Sequence, residues 1–254
     1  MAGRKLRIRV SDESAKIILL KIKTLNKVAN REHIKLLKSS VAKWNTWRES
    51  NPNIVPDLDR VDFNGADLSN ANLRKANFYM TLLNGANLQG ANLTKTFFAS
   101  SDLRGANLNE TDCSGVKFNG ADLCGCTFKK AKLRNADFSD LDLRDVDFSE
   151  ADLRRADLRK SNLEKVKFFK ADLRKTLLTE ANLTEAYLSS AWLQETDLQW
   201  ANLSKAILRY SVNLTPAQIQ SAKIDRETKV PHYLKIHWIS ETDFRCEAKS
   251  KETI

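Results

Sequence analysis

The amino-acid sequence predicts a β-solenoid, a chain wound into stacked coils, and two observations carry this prediction. Residues 56–210 form 31 consecutive five-residue units without an insertion. The third residue of the unit is Leu in 22 cases, Phe in 8 and Cys in one, so this position has to face a continuous apolar interior. The first residue is Ala in 17 units, which indicates that it faces the same interior where space is short.

A period of five matches neither the 3.6-residue turn of an α-helix nor the two-residue repeat of a strand. A helix would spread the leucines around its circumference, and a strand would alternate them between its two faces. A chain that turns a corner every five residues keeps both apolar positions inside. Such a coil closes on itself and stacks, and the backbones of successive coils pair at the spacing of a β-sheet, about 4.8 Å.

The units resemble the pentapeptide repeat family, whose consensus is a small residue, Asp or Asn, Leu or Phe, a polar residue and a variable residue. ADLRR at residues 151–155 is one such unit. The resemblance covers residues 56–210, here called the rod. It implies a right-handed quadrilateral β-helix with four units, about 20 residues, per coil and about eight coils.

The positions of the central phenylalanines support four units per coil. Seven of the eight fall into two series with 20-residue spacing, offset from each other by 10. Offset by half a coil, the two series would lie on opposite sides of the interior and interdigitate. The series are Phe78, Phe98, Phe118, Phe138 and Phe128, Phe148, Phe168.

The corners have their own signature. Seven of the eight glycines occupy the fifth position of a unit, where a type II turn needs a positive φ, and none follows Gly125 in the rod. We therefore expect type II corners mainly in the first half and other corner geometry later. Asp or Asn is common at the second position, and we expect these side chains to support the corners through hydrogen bonds.

Residues 1–55 differ from the rod in composition. They contain 13 basic and 4 acidic residues, whereas the rod contains 22 of each. The alternation in KLRIRV, residues 5–10, predicts a short strand, and Ser11 is a candidate N-cap for a helix to about Ala29.

A second helix is predicted from Glu32 to about Glu49, ended by Asn51 and Pro52. It leads directly into the rod, so we expect it to cap the first coil and protect that open edge. The run WNTWRESNPNIVPDL, residues 44–58, is also similar to the lead-in of many cyanobacterial pentapeptide repeat proteins. The side chains expected on its buried side are Ile34, Leu37, Val41, Trp44 and Trp47.

Residues 211–254 follow the rod. The run NLTPAQIQSAK, residues 213–223, resembles the short capping helix after such repeats, with Thr215 as N-cap and Pro216 as first helical residue. Trp238 and Phe244 would allow the tail beyond Leu234 to fold back on the rod, but we expect most of it to be mobile.

The sequence favours a chain without enzymatic chemistry. His33, His232 and His237 all lie outside the rod, so no nucleophile and base come together within it. Cys124 is expected to point outward and Cys126 inward, which leaves no four-ligand metal site. We expect no metal, no cofactor and no small-molecule substrate. The four cysteines are expected to be free thiols, as in a reducing compartment.

The 20-residue period sorts the surface charges by face. The five-residue units centred on residues 73, 93, 113, 133, 153, 173 and 193 form what is called here the basic face, with nine basic and four acidic residues. It is either a solvated surface with local ion pairs or a docking surface for an acidic protein. The basic residues are Arg74, Lys75, Lys95, Lys132, Arg134, Arg154, Arg155, Arg174 and Lys175.

Three functions compete. The favoured one is a non-enzymatic interaction scaffold or regulatory adaptor that presents a rigid charged rod to an unidentified, acidic protein partner. The alternative is binding of nucleic acid or an anionic membrane through residues 1–30. DNA mimicry towards type II topoisomerases, known in the family, would require a strongly acidic groove, which a neutral rod disfavours. The lack of a secretory signal predicts a cytoplasmic location.

Overall fold

A computed structural model describes residues 29–249, and their backbone winds into a β-solenoid. The strand predicted at residues 5–10 and most of the helix predicted from Ser11 onward lie outside the described residues. Two short helices precede the solenoid, and a third helix and a hairpin follow it.

Each five-residue unit pairs in parallel with the unit 20 residues further along the chain. Asp57 pairs with Asn77, and Asn77 with Phe97. The amide of Leu58 donates to the carbonyl of Asn77 at 2.9 Å, and the amide of Asn77 donates to the carbonyl of Pro56 at 2.8 Å. One coil is therefore four units long and has four corners, as the phenylalanine spacing predicts.

Every corner uses the same backbone conformation. The fifth residue of all 31 units has a positive φ, between 53° and 71°, whether it is Gly65, Lys175 or Trp200. The turn is closed by the next residue, as where the amide of Ala181 donates to the carbonyl of Leu178 at 3.0 Å. The positive φ at the third residue of this turn is the type II pattern.

The predicted change of corner geometry after Gly125 is therefore wrong. Glu180 is a typical corner of the second half, with φ of 60° and an amide that donates to the carbonyl of Gln199 in the next coil at 3.0 Å. The turn bond and the bond to the next coil together hold the left-handed conformation, whose cost for a side chain is about 1–2 kcal/mol. The hydrogen bonds between stacked coils thus impose a positive φ even on residues that disfavour it.

The side chains at the second position support the corners as predicted. Asp62 Oδ1 accepts a hydrogen bond from the amide of Asn64 at 2.9 Å, and Asn182 Oδ1 accepts one from Thr184 at 3.2 Å. This bond to the residue two positions on recurs along the rod, and it fixes the chain just before the left-handed residue.

The interior is filled by the first and third residues of each unit. The two phenylalanine ladders form as predicted: Phe98 and Phe118 stack with centroids 5.4 Å apart, and Phe128 and Phe148 stack at 5.1 Å. The ladders meet edge to face, as where Phe118 and Phe128 lie 5.9 Å apart. The eighth, Phe63, packs on Phe78.

Several units carry Thr or Ser instead of Ala at the buried first position. Their hydroxyls do not lack partners, since the hydroxyl of Thr81 donates to the carbonyl of Leu58 at 2.8 Å and that of Thr176 to the carbonyl of Leu153 at 2.8 Å. These bonds offset the cost of burying a polar group, and those of Thr81 and Thr176 link successive coils. Thr111 and Ser161 instead donate to the carbonyl three residues before them in the same coil.

The N-terminal cap consists of two helices, not the single helix predicted from the sequence. Helix α1 spans Arg31–Ser39 and helix α2 spans Val41–Ser50. Ser40 lies between them with extended backbone, and its hydroxyl accepts from the amide of Lys43 at 3.4 Å, which makes it the N-cap of α2. A helix-capping side chain explains the break.

Helix α2 covers the open edge of the first coil. Trp44 Nε1 donates to the carbonyl of Asn72 at 2.9 Å, and the side-chain amide of Asn45 bonds the backbone of Asn70 and Asn72. Arg48, which is buried, donates to the carbonyl of Arg74 at 3.1 Å. These hydrogen bonds occupy backbone groups of the first coil that could otherwise pair with a strand of another molecule.

Of the five side chains predicted on the buried side of this cap, Leu37 and Trp44 are buried. The others, Ile34, Val41 and Trp47, are partly buried and pack against the core. The chain leaves helix α2 at Asn51, as predicted.

At the other end, helix α3 spans Pro216–Gln220, with Thr215 as N-cap and Pro216 at its start, as predicted. The side-chain amide of Gln218 donates to the carbonyls of Leu193 and Thr196, at 2.9 and 2.8 Å. The helix thus closes the last coil as α2 closes the first.

The tail forms a hairpin, in contrast to the largely mobile segment expected from the sequence. Strand β1, Leu234–Trp238, pairs antiparallel with strand β2, Phe244–Ala248. The hydroxyl of Tyr233 anchors this region by donating to the carbonyl of Ser211 at 3.0 Å and accepting from the amide of Leu214 at 3.1 Å.

Within residues 29–249, no helix is long and apolar enough to cross a bilayer.

The uniform corner conformation makes a substitution test possible at Gly105, where φ is +65° and an added Cβ would meet no atom within 4 Å. We expect Gly105→Ala to lower the free energy of unfolding by about 1–2 kcal/mol, because Ala disfavours a positive φ. Gly105→Asn should lose clearly less, since Asn tolerates that region. Chemical denaturation of both variants measures the difference. Equal losses would contradict the conformational explanation.

The cap contains a titratable group, His33, whose Nδ1 accepts from the amide of Asp57 at 3.2 Å. Burial lowers the pKa of His33 below 6.5, an effect that Asp57 opposes and Arg48 reinforces. The unfolded chain therefore binds a proton first as the pH falls, and we expect stability to decrease from about pH 6.5 downward until His33 also protonates in the folded state.

Thermal unfolding between pH 7 and 5 measures this loss. His33→Gln should flatten the pH dependence, whereas His232→Gln, at an exposed position, should keep it. An unchanged slope in His33→Gln would show that another group is responsible.

Candidate functional site

The described residues offer little for catalysis. They contain no group of three or more His, Cys, Asp or Glu side chains that could hold a metal ion. Cys113 and Cys126 are buried, and Cys124 is exposed, on the sides expected from the sequence. Burial raises the pKa of the Cys113 thiol to about 12 and also raises that of Cys126, which keeps both thiols protonated and unreactive.

The basic face is the candidate site, and its side chains form two rows along the rod axis. The second residues of its units form a continuous parallel ladder from Asn72 to Trp192 on the flat of the face. The fourth and fifth residues lie in the corner that follows. Side chains in each row repeat from coil to coil at about the sheet spacing of 4.8 Å.

The arginines of the corner alternate with aspartates from the flat. Arg134 Nε lies 2.5 Å from an Asp152 oxygen, Arg154 lies 2.8 Å from Asp152 and 3.3 Å from Asp172, and Arg174 lies 2.6 Å from Asp172. These five residues are called the Arg–Asp ladder. Each aspartate is shared by two arginines, so the guanidinium groups are held in fixed positions.

The predicted basic residues therefore fall into two groups. Arg134, Arg154 and Arg174 take part in ion pairs, as does Lys175, whose Nζ lies 3.3 Å from Glu195. For the others, no carboxylate lies within ion-pair distance among the described residues. They are Arg74, Lys75, Lys95, Lys132 and Arg155.

A groove of about 560 Å³ runs along the corner beside the Arg–Asp ladder. Five cations and one carboxylate line it, together with Asn135 and Gln194. The structure thus brings together five of the nine predicted residues in one concave surface, whereas Arg74, Lys75, Lys95 and Lys132 lie outside it. Its charged residues are Arg134, Arg154, Arg155, Arg174, Lys175 and Glu195.

One contact escaped the sequence analysis. Trp192 occupies the second position on the basic face and is 47% exposed, and the Arg174 guanidinium lies over its ring at 5.3 Å. A cation over an aromatic face is attracted by the negative charge density of the ring. The signal was available, because Asp, Asn or Lys fills this position in the six preceding units of the face.

Comparison with known proteins agrees with the repeat pattern. Residues 113–188 match the family described as "Pentapeptide repeat region", and residues 57–90, 81–112 and 181–211 match "Pentapeptide repeats (8 copies)". Together the matches span the rod. No curated relative matches the chain.

Three solved structures illustrate the similarity. HetL, a pentapeptide repeat protein involved in heterocyst differentiation regulation from the cyanobacterium Nostoc sp. strain PCC 7120, is 30% identical, with 68% of this chain and 84% of HetL covered and a TM-score of 0.28. QnrB1, a plasmid-mediated fluoroquinolone resistance protein, is 21% identical over 69% and 82%, with a TM-score of 0.32. A pentapeptide repeat protein of the Arabidopsis thaliana thylakoid lumen is 24% identical over 53% and 66%, with a TM-score of 0.17.

The energetic contribution of the Arg–Asp ladder can be measured by Asp172→Asn, which keeps the oxygen that accepts from the Arg174 amide but removes the charge. We expect the free energy of unfolding to fall by about 1 kcal/mol or less at low salt, the usual range for exposed ion pairs. The difference should vanish at about 1 M NaCl because of screening.

The matched control is Asp62→Asn, which keeps its hydrogen bond to the Asn64 amide and breaks no ion pair among the described residues. A loss in Asp172→Asn that is insensitive to salt, or equal to that of the control, would contradict a role for the ladder charges.

Proposed function

Because the chain belongs to the pentapeptide repeat family, we propose that it is a non-enzymatic scaffold or adaptor that docks an acidic protein on its basic face. We also propose that the β-solenoid is a right-handed quadrilateral β-helix of about eight coils with a helical N-terminal extension, as the family resemblance implies.

The observation that carries this proposal is the groove at the corner of the basic face. Five cations and a single carboxylate line it, although the rod as a whole has no net charge. Its neighbouring face with centres at 58 to 198 is net −3, as is the opposite face. The remaining face is net +1 and the basic face is net +5, so a partner meets one strongly positive surface, which favours a single docking orientation.

The Arg–Asp ladder supports a binding role over a merely solvated face. Arginine side chains are long and lose conformational entropy when a ligand fixes them. Here Asp152 and Asp172 hold three of them before any partner arrives, so less entropy is lost on binding. Arg155, which has no carboxylate partner among the described residues, supplies charge for the ligand.

The other candidate functions have weaker support. A DNA mimic would need an acidic groove, and the groove described above is basic. Binding of nucleic acid or an anionic membrane through residues 1–30 rests on composition alone and stays a prediction, as does the cytoplasmic location.

The proposal is tested by affinity capture from the source organism with a charge-reversed variant, Arg155→Glu combined with Lys175→Glu. We expect this variant to lose at least about tenfold in recovery of an acidic partner, because opposite charges become like charges at the interface. The matched control is Lys130→Glu combined with Lys160→Glu, fifth-position lysines on other corners, which changes the net charge equally and should retain the partner.

The control should keep the unfolding temperature of the parent chain. The charge-reversed variant, called here the groove variant, loses the Lys175–Glu195 ion pair and should unfold at a slightly lower temperature while remaining folded at the temperature of the capture. If the groove variant and the control recover the same proteins in equal amounts, the basic face is not the docking surface.

A further inference from the structure

A second depression of about 510 Å³ adjoins the basic groove at the C-terminal end of the same corner. Gln194 and Glu195 line both, and the two depressions together are called here the corner channel. Beyond them the second depression reaches Leu214, Thr215 and Gln218 at helix α3. The channel thus begins beside Arg134 and ends at the cap.

Its dimensions favour an extended chain. The basic groove spans the coils of Arg134, Arg154, Arg174 and Gln194, about 14 Å along the axis at the sheet spacing. Over that length an extended chain has about four residues and an α-helix about nine. Because the groove has a volume of only about 560 Å³, it holds a larger share of an extended chain than of a helix.

The charge of the channel changes along its length. All five cations lie in the first depression, and no cation lines the second. Glu195 lies at the junction and disfavours a carboxylate there. Counted to Leu214, the channel is about 19 Å long, which accommodates about six residues of extended peptide. A matching occupant has carboxylates in one half and uncharged residues in the other.

Side chains that line both halves of the corner channel are held by contacts within the protein before any ligand binds. In the basic half, Arg154 and Arg174 are held by Asp172. In the neutral half, Gln218 is held by its two hydrogen bonds to the carbonyls of Leu193 and Thr196. Groups that are already ordered lose little entropy when a ligand binds.

The same geometry favours carboxylate side chains over a nucleic-acid backbone. A nucleic acid gains affinity by having many successive phosphates neutralised. Asp152 and Asp172 interrupt the arginines of the basic half, Glu195 ends it, and the adjoining face is net −3. Two or three carboxylates on a short peptide match such a limited patch better than a continuous polyanion.

We propose that the corner channel binds one extended segment of a partner protein, about six residues long, with its acidic half against Arg155 and Lys175 and its uncharged half against Leu214 and helix α3. This rests on the proposed scaffold function and specifies what the scaffold recognises.

The test uses the full chain and three fluorescein-labelled hexapeptides in fluorescence polarisation. The first has three glutamates followed by three uncharged residues, the second is its reverse, and the third alternates the same residues. We expect one of the two block peptides to bind about tenfold more tightly than the alternating peptide. Arg155→Glu with Lys175→Glu should abolish this binding, and Lys130→Glu with Lys160→Glu should leave it unchanged.

A second variant, Gln194→Arg, tests the position of the charge boundary. It extends the arginine row by one coil, so we expect the preference to shift towards a hexapeptide with four or more glutamates. A preference that does not shift would overturn the assignment of the two halves.

The outcomes separate this inference from the proposed function. If the groove variant loses the captured partner but the three peptides bind equally, the scaffold proposal stands and the extended-segment inference is wrong. If the groove variant affects neither capture nor peptide binding, both are wrong. Tighter binding of a single-stranded oligonucleotide than of either block peptide, lost in the same variant, would replace the peptide with nucleic acid as the occupant.

Discussion

The structure depends on one backbone constraint, the left-handed conformation of every fifth residue. Because this residue turns the chain without breaking the hydrogen bonds to the next coil, four identical corners close a coil and the coils stack in register. Each corner without glycine costs free energy locally, about 1–2 kcal/mol, and the stacking has to offset it. The ladders of Phe98, Phe118 and Phe138 supply part of that cohesion, since aromatic pairs contribute beyond the area that they bury.

A stack of identical coils would grow without limit if its two ends were open, so the caps are as necessary as the repeats. The N-terminal cap uses side chains for this purpose: Trp44, Asn45 and Arg48 bond backbone groups of the first coil. The C-terminal cap does the same through Gln218. Both caps act at the basic face, because the groups that they bond belong to units of that face or adjoin it. The ends of the candidate site are therefore rigid as well as its middle.

The repeat period, the inward positions, the phenylalanine ladders and the Thr215 cap could all be predicted from the sequence, because each depends on local spacing. The corners after Gly125 could not, since residue preference favours another conformation and only the stacking bonds overrule it. The helix break at Ser40 was missed because Leu37 and Val41 on either side of it keep the four-residue spacing of a continuous helix. The ion pairs between coils could not be predicted either. The sequence places Arg154 on the basic face, but it does not show that Arg154 forms ion pairs with both Asp152 and Asp172.

The same aspartates serve both the coil and the surface charge of the proposed docking face. The aspartate at the second position is first a corner residue, accepting a hydrogen bond from its own unit, as Asp152 does from the Arg154 amide at 3.3 Å. Its second oxygen remains available and orients an arginine of the preceding coil, Arg134. One side chain thus serves both the fold and the surface. The residues at the fourth and fifth positions can vary without altering the coil, because every corner keeps the same positive φ. In the proposed scaffold, these variable corner residues would therefore determine which partner binds, whereas the period determines only the rod.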